Sequence, residues 1–104
     1  MNEQQLYESL KAANVPEHLR GGIVRYVQSG IIPGSFLRSV IANDLISAVC
    51  RADDTLAIGE LRAVCRWFLH QAPMQCHGTY FAMDEWSSAK AKEYGIQNRE
   101  EITR

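Results

Sequence analysis

Ile31-Ile32-Pro33-Gly34-Ser35-Phe36-Leu37 reads as a stop, a turn and a restart. Two apolar residues lead into Pro33-Gly34, which is turn chemistry. Ser35 is placed to cap the next helix with its hydroxyl, and Phe36 and Leu37 open that helix's buried stripe. One amphipathic pattern ends just before this stretch and another begins just after it. The chain is expected to fold back here, as the Pro-Gly corner of a helical hairpin whose arms pack on each other.

The arm before the corner should run from about Pro16 to Gln28. Pro16 suits a first helical turn, where its missing N–H costs nothing. Leu19, Ile23, Tyr26 and Val27 recur at spacings of three and four, and Gly30 supplies a left-handed stop. Gly21-Gly22 is the anomaly, because each glycine inside a helix costs about 1 kcal/mol relative to alanine. Either another helix packs closely on that bare backbone, or a ligand or partner reaches it.

The arm after the corner carries Phe36, Leu37, Val40, Ile41, Leu45, Ile46 and Val49, a broad stripe that predicts a central helix touched on two faces. Asn43-Asp44 interrupts it. Both are weak inside helices and good as caps, so the helix either continues or kinks and restarts at Asn43; continuity is the expectation.

Further out, Asn2 can cap a first helix over Glu3 to Ala13, stopped at Asn14. A helix over Gly59 to Gln71 carries Leu61, Val64, Cys65, Phe68 and Leu69 on one side. Its other side holds Arg62, Arg66 and His70, which reads either as a solvated face or as an anion-binding stripe. Trp67 lies off the best buried stripe, either as an interface anchor or as a partly buried residue at the bundle edge. Pro73 ends this helix. Thr79 can cap a last one running to about Tyr94, with Gly95 as its stop. Arg51 to Thr55 is a loop in which Asp53, Asp54 or Thr55 can cap the helix after it. The predicted fold is all-α, a compact bundle of about five helices over residues 1–95, with a polar tail over 96–104.

The chain has 104 residues, 46% hydrophobic and 22% charged, enough for one modest core, and that modesty invites oligomerisation. Eleven Lys+Arg against 12 Asp+Glu leave a net charge of −1, without the basic excess of a duplex-DNA binder. The polar start and short apolar runs predict a soluble, cytoplasmic protein with no membrane span. Cys50, Cys65 and Cys76 are an odd set without paired spacing. Cys50 and Cys65 sit among apolar residues and are expected to be small core hydrophobes.

No catalytic motif, cofactor signature or zinc spacing is present, so no catalytic, cofactor or metal residue is assigned. Cys76-His77 invites a thiolate–imidazolium reading, but adjacent residues rarely face one another and no third orienting group is evident. What remains is recognition. Gly34-Ser35 offers free N–H donors at a helix start, and Arg20, Arg25 and Arg38 flank the corner. Were they to converge, they could hold an anionic nucleotide.

Pro16-Glu17-His18-Leu19-Arg20-Gly21-Gly22, Val24-Arg25-Tyr26, Pro33-Gly34-Ser35-Phe36-Leu37, Asn43-Asp44-Leu45 and Arg66-Trp67-Phe68 together resemble small proteins encoded in bacteriophages and prophages of proteobacteria. The likeness covers roughly residues 15 to 80 and carries no catalytic residues. It implies a phage-like gene expressed in a bacterial cytoplasm. The leading expectation is a non-enzymatic protein that binds and blocks a host protein, with a sponge for an anionic nucleotide as the alternative. Binding residues would come from Arg20, Gly21, Gly22, Arg25, Gly34, Ser35, Arg38 and Trp67. A nucleic-acid-binding regulator is a third reading. It is disfavoured because Phe36, Leu37, Val40 and Ile41 occupy the start of the would-be recognition helix.

Overall fold

The computed structural model describes residues 2–52, 56 and 58–93. The described residues form six α-helices: α1 (Glu3–Ala12), α2 (Glu17–Ser29), α3 (Ser35–Ile41), α4 (Leu45–Arg51), α5 (Ile58–His70) and α6 (Tyr80–Glu93). A single 3₁₀ turn, Met74–Cys76, precedes α6. The fold is all-α as expected. The caps expected of Asp53, Asp54 or Thr55, the stop at Tyr94-Gly95 and the tail over 96–104 lie outside the described residues.

Asn2 starts α1 with a capping box: its side chain accepts from the Gln5 N–H, and the Gln5 side chain accepts from the Asn2 N–H. Asn14 ends α1 in the left-handed region at φ 63°. The Asn14 N–H donates to the Lys11 carbonyl and the Val15 N–H to that of Leu10, which satisfies two helix-end carbonyls.

Asn43, at φ 61°, repeats that ending. Its N–H donates to the Val40 carbonyl, and the Asp44 N–H donates to that of Ser39. Asp44 then caps α4, accepting from the Ser47 N–H at 3.2 Å. The continuous third helix expected from the sequence is therefore two helices of seven residues each. Asparagine tolerates the left-handed conformation, and the aspartate after it restarts the chain in a new direction.

The corner also starts differently from expectation. Gly34, extended at ψ 172°, occupies the cap position without a side-chain bond, and Ser35 is already the first residue of α3. α2 ends at Gly30, at φ 73°, as expected.

The core joins Leu6 and Leu10 of α1, Ile23, Tyr26 and Val27 of α2, Leu37 and Ile41 of α3, Val64, Trp67 and Phe68 of α5, and Met83 of α6. Burying each large aliphatic side chain contributes about 1.5–3 kcal/mol. Polar tips inside it are all matched. The Tyr26 hydroxyl donates to the Cys76 carbonyl at 2.5 Å, the Trp86 indole N–H to the Tyr26 carbonyl at 3.1 Å, and the Ser87 hydroxyl to the Gly30 carbonyl at 2.6 Å. These three bonds lock α2 between the 3₁₀ turn and α6. Burial pushes the Tyr26 phenol well above its usual range, so it stays a donor.

Trp67 is neither an interface anchor nor a residue at the bundle edge. It is 1% exposed, meets Phe68 edge-on with ring centroids 5.2 Å apart, and donates its indole N–H to the Ser9 hydroxyl at 2.7 Å. α1 lies over the side of α5 that holds Trp67, so the buried arc of α5 is wider than the stripe of Val64 and Phe68 alone. Gly22 is likewise a packing position. A methyl group placed on it would come within 3.3 Å of Leu37 Cδ1 and 3.8 Å of Pro33 Cβ, so α2 and the corner approach over bare backbone. Gly21 makes room for the Arg25 guanidinium and the Tyr7 hydroxyl, which stand 3.0 and 3.6 Å from where a methyl group would sit.

Candidate functional site: an outward apolar face and two basic grooves

Splitting the third helix changes which side chains reach the surface. With α4 turned at Asn43-Asp44, Leu45 is 70% exposed, Ile46 77% and Val49 55%. The stripe expected to be the centre of the bundle faces outward over this half. Cys50 and Cys65, expected in the core, are exposed as well.

A second apolar feature involves the residues just before α4. A shallow groove of about 360 Å³ joins Val40 and Asn43 to Cys65, Phe68 and Leu69 of α5 and to His77. Among the described residues, His77 is the ionisable side chain besides Cys65 that lines it, and burial pushes the His77 pKa down, towards the neutral ring. Leu69 on its rim is exposed. From the other side, the Tyr80 hydroxyl donates to Asp44 Oδ2 at 2.7 Å and ties the start of α6 to the joint. That bond, and the Ser47 N–H, hold the Asp44 carboxyl below its usual range. The bond to the Asp44 carboxylate pushes the Tyr80 phenol up. Phe81, next along, is 66% exposed. Leu45, Ile46 and Val49 are thus exposed on α4, Leu69 at the groove on α5, and Phe81 near the start of α6. Exposed apolar side chains grouped on one short helix, as on α4, are a mark of interaction surfaces.

Arg20, Arg25 and Arg38 do not converge. Arg20 donates its Nε–H to the Val15 carbonyl at 2.9 Å, and Arg38 lies over the Tyr80 ring, 6.0 Å from its centroid. Only Arg25 reaches the corner, where a groove of about 540 Å³ also holds His18, Gly34 and Ser35. Residues five or more apart on α2 and on a separate short helix point to different sides, so the three-arginine cradle does not form. Leu37 at the start of α3 is buried, so that position of the would-be recognition helix faces the core.

The Arg62, Arg66 and His70 row lines a third groove, of about 440 Å³, between α5 and the end of α1. No helix among the described residues is long and apolar enough to cross a membrane, and none of their His, Cys, Asp and Glu side chains form a group of three or more placed to hold a metal.

Cysteine chemistry depends on position. Cys76 is fully buried and its thiol is pushed up to about 12 by desolvation, which opposes the thiolate reading of Cys76-His77. Desolvation also pushes the exposed Cys65 thiol up, since it lines the apolar groove. With a thiol-specific reagent at mildly alkaline pH, Cys50 is expected to react first, Cys65 more slowly, and Cys76 only after unfolding. Mass mapping of labelled peptides over time checks this order.

No family model, curated protein or solved structure matches this chain.

Proposed function

We propose that this chain is a non-enzymatic binding protein that docks on a second protein through the apolar surface around the Asn43-Asp44 joint. The exposure of Leu45, Ile46 and Val49 on one short helix is the observation that carries this reading. Leu45 and Ile46 lie four and three residues before Val49, the spacing of helix anchors that enter a partner's groove. The groove lined by Val40, Asn43, Phe68 and Leu69 suits an apolar side chain from the partner. The motif likeness to phage-encoded proteins supports a bacterial host protein as the target, blocked by occupation of its surface in the cytoplasm.

The test uses the tagged full chain and a variant carrying Leu45→Asp and Ile46→Asp, both incubated with host lysate. The expected result is one stoichiometric protein held by the wild-type chain and released by the variant, because a desolvated carboxylate opposes docking. Retention of nothing, or equal retention by the variant, overturns the reading. So does a wild-type dimer in light scattering that the variant dissolves, since the face would then join two copies of this chain.

A further inference from the structure

We infer that the groove between α5 and the end of α1 is a binding site for a small anion bearing two or more linked phosphate groups. Arg62, Arg66 and His70 lie on one edge of α5, each one turn beyond the last. At 1.5 Å rise per residue, neighbours in the row are about 6 Å apart, close enough for two guanidinium groups to grip adjoining phosphoryl groups. The opposite wall is made of small residues, Ala12 and Ala13, so a ligand can reach the arginines without displacing a side chain. Asn14 and Gln71 also line it and add neutral hydrogen-bonding groups.

Among the described residues, no acidic side chain is placed against this row. The described lining is Ala12, Ala13, Asn14, Gly59 and the α5 residues, with Arg62, Arg66 and His70 its ionisable side chains. Among the described residues, neither arginine has an ion-pair partner; Arg20 donates to the Val15 carbonyl and Arg38 lies over the Tyr80 ring, so those two are held by other contacts. The nearby end of α1 does not use them either. The Ser9, Leu10 and Lys11 carbonyls already accept from the Ala13, Val15 and Asn14 N–H groups. Two cations one turn apart repel each other, and a bound anion relieves that repulsion. A groove of about 440 Å³ also falls in the size range of small-ligand sites. Trp67 forms its floor but is 1% exposed, so it offers no open aromatic plane on which the bases of a long single strand could stack. A compact polyphosphate therefore fits better than a strand. The site is separate from the apolar face, and its test does not depend on the partner reading.

Isothermal titration of the full chain with inorganic triphosphate tests the site, with a nucleoside triphosphate in a parallel arm to show whether the ligand is free or nucleotide-borne. Saturable one-site binding is expected in at least one arm, weakened at least about tenfold by Arg62→Gln with Arg66→Gln, and unchanged by Arg25→Gln in the other basic groove. Circular dichroism checks that the variants remain folded. Absence of binding in both arms, equal binding by the Arg62/Arg66 variant, or loss through Arg25→Gln overturns the inference. Binding of a single-stranded oligonucleotide more than about tenfold tighter than triphosphate also overturns it, because the ligand would then be a strand.

Discussion

Trp67→Ala is expected to lower unfolding free energy by about 3–5 kcal/mol, a large share of the total stability of so small a domain. The indole is shut between α1 and α5, and its removal leaves a cavity that neither helix can close without breaking its own contacts. The Phe68 ring loses its edge-on neighbour at 5.2 Å, and the Ser9 hydroxyl loses the indole donor at 2.7 Å. Trp67→Phe separates these effects. It keeps most of the ring volume and removes the hydrogen bond, and is expected to cost roughly half as much or less. Urea denaturation monitored by circular dichroism measures both. A cost below about 1 kcal/mol for the alanine variant would place Trp67 at the surface, where it could still serve as an anchor.

Gly30→Ala is expected to cost about 2–4 kcal/mol, from a left-handed backbone and a steric clash acting together. Gly30 sits at φ 73° where α2 passes α6. A methyl group there would lie 2.8 Å from the Ser87 carbonyl oxygen, 3.0 Å from Ser87 Cα and 2.8 Å from Lys90 Cβ. Two of these are backbone atoms of α6, which cannot swing aside. Relief requires α2 and α6 to separate, and that breaks the 2.6 Å bond from Ser87 to the Gly30 carbonyl. Gly34→Ala is the control. Its φ is −63° and nothing stands within 4 Å of the added methyl group, so the change should be neutral or slightly stabilising. Equal effects at the two positions would show that close packing of α2 on α6 is not what Gly30 serves.

Much of the fold is legible in the sequence because local chemistry and periodicity agree. Asn2, Asn14, Gly30, Pro73 and Thr79 each mark a helix boundary with a physical reason, and the Thr79 hydroxyl does accept from the Ala82 N–H at 2.9 Å. The break at Asn43-Asp44 is harder to see. Val40, Ile41, Leu45, Ile46 and Val49 keep helical spacing straight through it, so periodicity favours one helix where the caps favour two. The decisive signal is nevertheless present in the same chain. Asn14 ends α1 with the same backbone bonds that Asn43 uses to end α3. Periodicity reports which residues share a side of a helix, not whether a neighbour exists to cover that side. For that reason Leu45, Ile46 and Val49 look like core in the sequence, and Cys50 and Cys65 with them. The reverse error at Trp67 has the same origin, since only tertiary packing brings α1 over that side of α5. The arginines at the corner are grouped by nearness in sequence. Whether such side chains converge depends on helix phase and on the turn at the corner, which residue types alone do not specify.

Denaturation of the Leu45→Asp/Ile46→Asp variant tests most directly that the α4 stripe points outward. Two carboxylates on exposed positions should leave the unfolding free energy within about 1 kcal/mol of the wild-type value, as expected for surface changes. A loss of several kcal/mol, or failure to fold, would mean that these side chains are buried and that no apolar recognition face exists.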